Sequence, residues 1–103
     1  MGRVHVKLSS FDDLAYLVFT GLTAYKASAS IICAESRCFV IATTGEREYV
    51  YSSPKPEKVC RFVSMDDNGK IMCSDTPFKG RPYVLVISAE GVEDVEDISS
   101  ILK

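Results

Sequence analysis

Residues 9–25 read SSFDDLAYLVFTGLTAY, and the spacing of their apolar side chains decides how the rest of the chain is read. Phe11, Leu14, Ala15, Val18, Leu22 and Tyr25 fall at i, i+3, i+4, i+7, i+11 and i+14, the stripe of a helix lying on an apolar layer. Ser10 stands where an N-cap belongs. Asp12 and Asp13 occupy the first turn, where the positive end of the helix dipole favours carboxylates. Leu17 and Phe19 widen the apolar face beyond that of a surface helix, so the segment calls for a sheet to pack on.

The flanking sequence supplies strands. Upstream, residues 3–8 (RVHVKL) alternate strictly, with Val4, Val6 and Leu8 on one face and Arg3, His5 and Lys7 on the other. Downstream of a small polar connector (KASAS), ASIICA and RCFVIAT read as two strands joined near Glu35 and Ser36, a pairing that sets Cys33 roughly opposite Cys38. Thr44-Gly45-Glu46 is a turn into REYVYS, with Tyr49 and Tyr51 on one face and Val50 on the other. Pro54 and Pro56 then break regular structure. KVCRFVSM and KIMCS flank Asp66-Asp67-Asn68-Gly69, whose Asn-Gly step suits a tight hairpin turn.

After a second rigid loop, residues 76–82 (TPFKGRP), comes YVLVISA at 83–89. This unbroken apolar run predicts a central strand covered on both faces. A closing helix is expected from about Gly91, with Val92, Val95, Ile98 and Leu102 inward and Glu93, Asp94, Glu96 and Asp97 outward. The expected order is β-α-β-β-β-β-β-β-α: an α+β fold, with a mainly antiparallel sheet of about six or seven strands and two helices. At 103 residues the chain is expected to form a single domain, 1–103, since halves of about 50 residues around Pro54 would be marginal alone.

Charge argues against a general nucleic-acid binder, because the net charge is −2 and such proteins usually carry a basic excess. The acid is uneven, however. Five of the 14 acidic residues lie in 90–97, which leaves residues 1–89 with 11 basic against 9 acidic side chains. The opening MGRVHVKL lacks the apolar run of a signal peptide, and no stretch approaches the roughly 18 apolar residues of a spanning helix. The expectation is a cytoplasmic protein without a membrane partner, its four cysteines reduced.

Those cysteines, at 33, 38, 60 and 73, lie inside strand-like runs rather than at the short spacing of zinc knuckles. They read as small core hydrophobes. The alternatives are a metal site or a disulfide such as Cys33–Cys38 in an oxidising setting. His5 is the only histidine, so any Ser-His or Cys-His chemistry would have to use it. Its place mid-strand on a polar face is that of an ordinary exposed ring. No P-loop, G-x-G-x-x-G or G-x-S-x-G motif occurs, and the pairs Asp12-Asp13, Asp66-Asp67 and Asp94/Asp97 read as helix start, turn and solvated face. No cofactor, metal ligand or catalytic residue is assigned.

The opening VKLSSFDDLAYLVFTGL, followed by ASIICAESRCFV, resembles in spacing the strand, F-D/E-D helix and hairpin that begin the C-terminal domain of MecA-type protease adaptors. The resemblance covers residues 4–40 and is carried by Phe11, Asp12, Asp13, Leu14 and Cys38-Phe39-Val40. The hairpin at 58–75 and the proline loops have no place in that family's layout. What the resemblance implies is a protein-binding module.

The functional expectation is therefore a small non-enzymatic binding or adaptor-like module, self-associating through apolar sheet surface that two helices leave over. Its candidate interface is Tyr49, Val50, Tyr51, Phe62, Met65, Met72 and Phe78. Two alternatives stand beside it. One is single-stranded nucleic-acid binding on a sheet face combining Arg3, His5 and Lys7 with Tyr49 and Tyr51. The other is a small enzyme or ligand-binding protein with a site of unfamiliar design.

Overall fold

The computed structural model describes residues 2–22 and 30–91. Strand β1 (Gly2–Lys7) runs into helix α1 (Phe11–Leu17), which continues as a π-helical stretch over Val18–Leu22. Six further strands follow: β2 (Ser30–Cys33), β3 (Arg37–Thr44), β4 (Arg47–Pro54), β5 (Phe62–Met65), β6 (Ile71–Ser74) and β7 (Val84–Ser88). All seven form one sheet in the order β1-β4-β3-β2-β7-β5-β6.

The helix start is the one its sequence specifies. Ser10 has extended backbone, and its hydroxyl accepts the Asp13 N–H at 3.1 Å. Phe11, Leu14, Ala15, Val18 and Phe19 are all buried. Thr20 bends the pattern where α gives way to π: its hydroxyl donates back to the Tyr16 carbonyl at 2.8 Å, competing with the backbone ladder.

The sheet is mixed, not mainly antiparallel. β1 pairs parallel to β4, and β2 pairs parallel to β7, while the other four pairs are antiparallel. The cause lies in the connection. Because β4 runs with β1 and two antiparallel steps separate β4 from β2, β1 and β2 point the same way. The helix is thus a crossover between strands of like direction, and the β3–β4 hairpin then brings β4 alongside β1. Among the described residues there is one helix rather than two; the closing helix expected from Gly91 lies outside them.

β7 is the seam of the sheet. It is the last of the described strands, yet it inserts between β2 and the β5–β6 hairpin, so it joins the first four strands to the next two. The central position agrees with the sequence, but coverage on both faces does not. Val84 is buried towards α1, whereas Leu85 and Ile87 on the other face are 39% and 45% exposed.

Side chains alternate between two apolar clusters. Towards α1 lie Ile31, Cys33, Cys38, Val40, Val63 and Val84, packed with Leu14, Ala15, Val18 and Phe19. On the far face Ile32, Ala34, Phe39 and Val50 form a smaller cluster with Ile41 and Ala89. The β5–β6 hairpin closes as its Asn-Gly step suggests: Gly69 has φ +83°, and the Asp66 carboxylate accepts the N–H groups of Asn68 and Lys70, each at 2.9 Å.

All four cysteines are paired, Cys33 with Cys38 and Cys60 with Cys73, which corrects the expectation of reduced core thiols. Cys33 and Cys38 are Cα partners across the β2–β3 hairpin, 3.9 Å apart. The second bridge was hidden by an overlong strand. A ladder over 58–65 in the observed register would not set Cys60 opposite Cys73. β5 starts only at Phe62, and the chain before it leaves the sheet to bring the two Cα atoms within 5.5 Å.

Candidate functional site

The far face of the sheet changes character from one side to the other. Cross-strand register sets Ile87 beside Ile32, Ile32 beside Phe39, Phe39 beside Ser52, and Ser52 beside Lys7. This single row runs from exposed aliphatic to cation. Next to it Leu85 pairs with Phe62, extending the apolar end towards the β5–β6 hairpin. The Phe62 ring meets Tyr83 edge-on at 5.5 Å, Phe78 lies 6.5 Å from Tyr83, and the Arg61 guanidinium sits 5.9 Å over Phe62.

The cationic end is built from β1, β3 and β4. Arg3, His5 and Lys7 alternate onto this face of β1, and Arg37 reaches it from the start of β3. Ser52, wholly buried, is the hub: its Oγ lies 2.9 Å from His5 Nε2, and it accepts from Arg37 Nε at 3.2 Å and Nη2 at 3.1 Å. A hydroxyl has one proton to give and two lone pairs. The two Arg37 N–H groups approach this oxygen together, and its proton is the one that can meet His5 Nε2 when the imidazole is neutral. Partial desolvation lowers the His5 pKa below 6.5, and Lys7, Arg37 and Arg3 push it the same way. Arg3 is paired with Glu48 at 2.6 Å. Among the described residues, Lys7 and Arg37 have no carboxylate partner.

This cluster has the base-to-hydroxyl distance of a nucleophilic pair, but not its function. Ser52 Oγ is saturated by three partners and has no exposed surface from which to reach a substrate. A separate open cleft of about 460 Å³ lies beside the first disulfide, lined by Cys33, Glu35, Lys55, Ser88, Glu90 and Gly91. Its best-defined contact is internal, the Gly91 N–H donating to Glu35 at 2.9 Å. Among the described residues no group of three or more His, Cys, Asp or Glu side chains is placed to hold a metal ion.

The expected interface set divides. Phe62, Met72 and Phe78 lie at the apolar end of the far face or its rim, since Met72 pairs with Ser64 two residues on from Phe62. Val50 is fully buried, so it cannot be a surface contact. Tyr49 and Tyr51 stack at 6.4 Å on the helix side of β4, and Tyr51 and Met65 pack against the main core. Leu85 and Ile87 are exposed on this same face and lie outside the expected set, because the apolar run at 83–89 reads as doubly buried.

The register also takes apart the basic and aromatic surface considered for nucleic acid. Val4 pairs with Tyr49 and Val6 with Tyr51, so the tyrosines share the valine face of β1, opposite Arg3, His5 and Lys7. No helix among the described residues is long and apolar enough to cross a membrane. No family model, curated protein or solved structure matches the chain, so the resemblance to MecA-type adaptors rests on residues 4–40 alone.

Proposed function

We propose that this chain is a non-enzymatic protein-binding module whose first partner is a second copy of itself, joined through the far face of the sheet. The observation that carries this reading is the exposure of Leu85 and Ile87 on β7, in the middle of the sheet rather than at its margin. Neighbouring aliphatic side chains on a central strand, continuous with Phe62, are the composition of an interface core.

The two disulfides favour an oxidising setting over the cytoplasmic one suggested by the opening residues. The separated tyrosines and basic residues give the nucleic-acid reading no shared surface, and the closed Ser52 hydroxyl gives the enzyme reading no nucleophile.

Light scattering during size-exclusion chromatography at micromolar concentration tests the proposal. The expected species has twice the 11.4 kDa chain mass, and Leu85→Lys with Ile87→Lys returns it to one chain. An unaltered chain that elutes only at 11.4 kDa overturns the reading.

A further inference from the structure

We propose that Lys7, His5, Arg37 and Ser52 form a binding site for a phosphate oxyanion at the cationic end of the far face. Arg37 is the central observation. It is half-buried, its Nε and one Nη2 proton are spent on a serine hydroxyl rather than a carboxylate, and among the described residues no ion pair neutralises it. A guanidinium held this way has a fixed plane, with Nη1 and the second Nη2 proton still available as donors. Lys7 stands directly across the ladder from Ser52 and Arg37 bonds Ser52 from the other side, so the two cations flank β4 on one face. His5 joins the same network, its Nε2 held 2.9 Å from the Ser52 hydroxyl.

The charged groups around this position are Arg3 and Lys7 on β1, Glu48 on β4 and Arg37 on β3. Glu48 is already paired with Arg3. Among the described residues Lys7 and Arg37 then remain uncompensated, matching a phosphate that carries between one and two negative charges near neutral pH. A carboxylate would balance only one of them. The buried Ser52 hydroxyl sets the site by holding Arg37; the ligand contacts Arg37 and Lys7, and the His5 ring on the same hydroxyl reports its arrival. The site belongs to the single chain. Failure to self-associate therefore leaves it standing, and failure to bind phosphate leaves the Leu85–Ile87 contact standing.

The test is a titration of the whole chain with inorganic phosphate, sodium acetate and sodium chloride at matched ionic strength, read by NMR at the His5 ring and the Arg37 side chain. Phosphate is expected to give saturable shifts at both residues. Lys7→Gln and Arg37→Gln are each expected to weaken binding by roughly tenfold or more, the usual effect of losing a charge-assisted hydrogen bond. Lys7 is exposed and serves if Arg37→Gln disturbs Ser52. Lys70→Gln in the β5–β6 turn is expected to leave the titration unchanged. Equal responses to all three salts, or a phosphate response that survives Lys7→Gln, overturn the proposal. Saturation by acetate but not phosphate overturns the assignment to phosphate.

Discussion

His5 Nε2 and Ser52 Oγ are 2.9 Å apart across the parallel β1–β4 pair, and the same hydroxyl oxygen accepts both Nε–H and Nη2–H of Arg37. Protonating His5 would set a second N–H against an oxygen already saturated by donors. Desolvation and the Lys7, Arg37 and Arg3 charges therefore act in one direction, holding the His5 pKa below 6.5.

NMR titration of His5 is expected to give a pKa below that of an unfolded reference peptide, and Lys7→Gln is expected to move it up. The sign for stability follows. In the window between the lowered folded pKa and about 6.5, the unfolded chain binds more protons than the folded one. The His5 contribution is thus complete above that window and is lost as pH falls through it. A His5 pKa at or above the reference value would mean that desolvation and the three neighbouring cations do not govern this ring.

Leu14 is wholly buried at the centre of the α1 stripe, where the helix meets β3, β4 and β6. Leu14→Ala is expected to cost about 2–5 kcal/mol, as large-to-small changes in packed cores do. A urea midpoint unchanged by the substitution would mean that α1 is not docked on the sheet.

The disulfides separate by the loops they close. Cys60 and Cys73 are 13 residues apart in sequence, Cys33 and Cys38 only 5, and the longer loop loses more entropy when closed in the unfolded chain. Replacing Cys60 and Cys73 together by Ala is expected to cost about 2–4 kcal/mol, more than the same change at Cys33 and Cys38. Intact mass under non-reducing conditions is expected to be lighter than the reduced chain by four hydrogens. Four thiols titrating in the native protein would overturn both bridges.

Much of the fold was legible because it is local. The Ser10 cap, the stripe from Phe11 to Val18, the Gly45 and Asn68-Gly69 turns and the opposition of Cys33 to Cys38 each depend on residues within one element or one hairpin. Strand direction is not local. The alternation in RVHVKL assigns His5 and Val6 to opposite faces whether the neighbour runs parallel or antiparallel, and nothing in it names β4 as that neighbour. The same gap concealed the cluster: Ser52, Arg37 and His5 come from three strands, and the β3–β4 hairpin places Arg37 near Ser52 while the non-local β1–β4 register adds His5. Leu85 and Ile87 failed for another reason. An apolar run reports hydrophobicity on both faces but not whether anything packs there.

The loop of residues 75–83 is fastened to β5 by two hydrogen bonds, and these give a sharp test of how β7 is delivered to its slot. Ser64, wholly buried, donates its hydroxyl proton to the Pro82 carbonyl at 2.6 Å, and Arg81 Nη1 donates to the Met65 carbonyl at 3.1 Å. Pro82 lies two residues before β7, so the serine bond positions the entry to the strand that joins the sheet. Ser64→Ala removes this bond and leaves a small gap at a wholly buried position, an expected loss of about 0.5–1.5 kcal/mol. Ser74→Ala is the matched control, because Ser74 bonds only to Thr76 beside it in an exposed turn; its effect is expected within about 0.5 kcal/mol. Urea unfolding of the two variants measures the difference, and hydrogen exchange at Val84 reports whether the entry to β7 loosens in Ser64→Ala alone. Equal midpoints for the two variants would mean that the Pro82 carbonyl finds another donor and that β7 is held in place by its ladder partners, β2 and β5, without help from the loop.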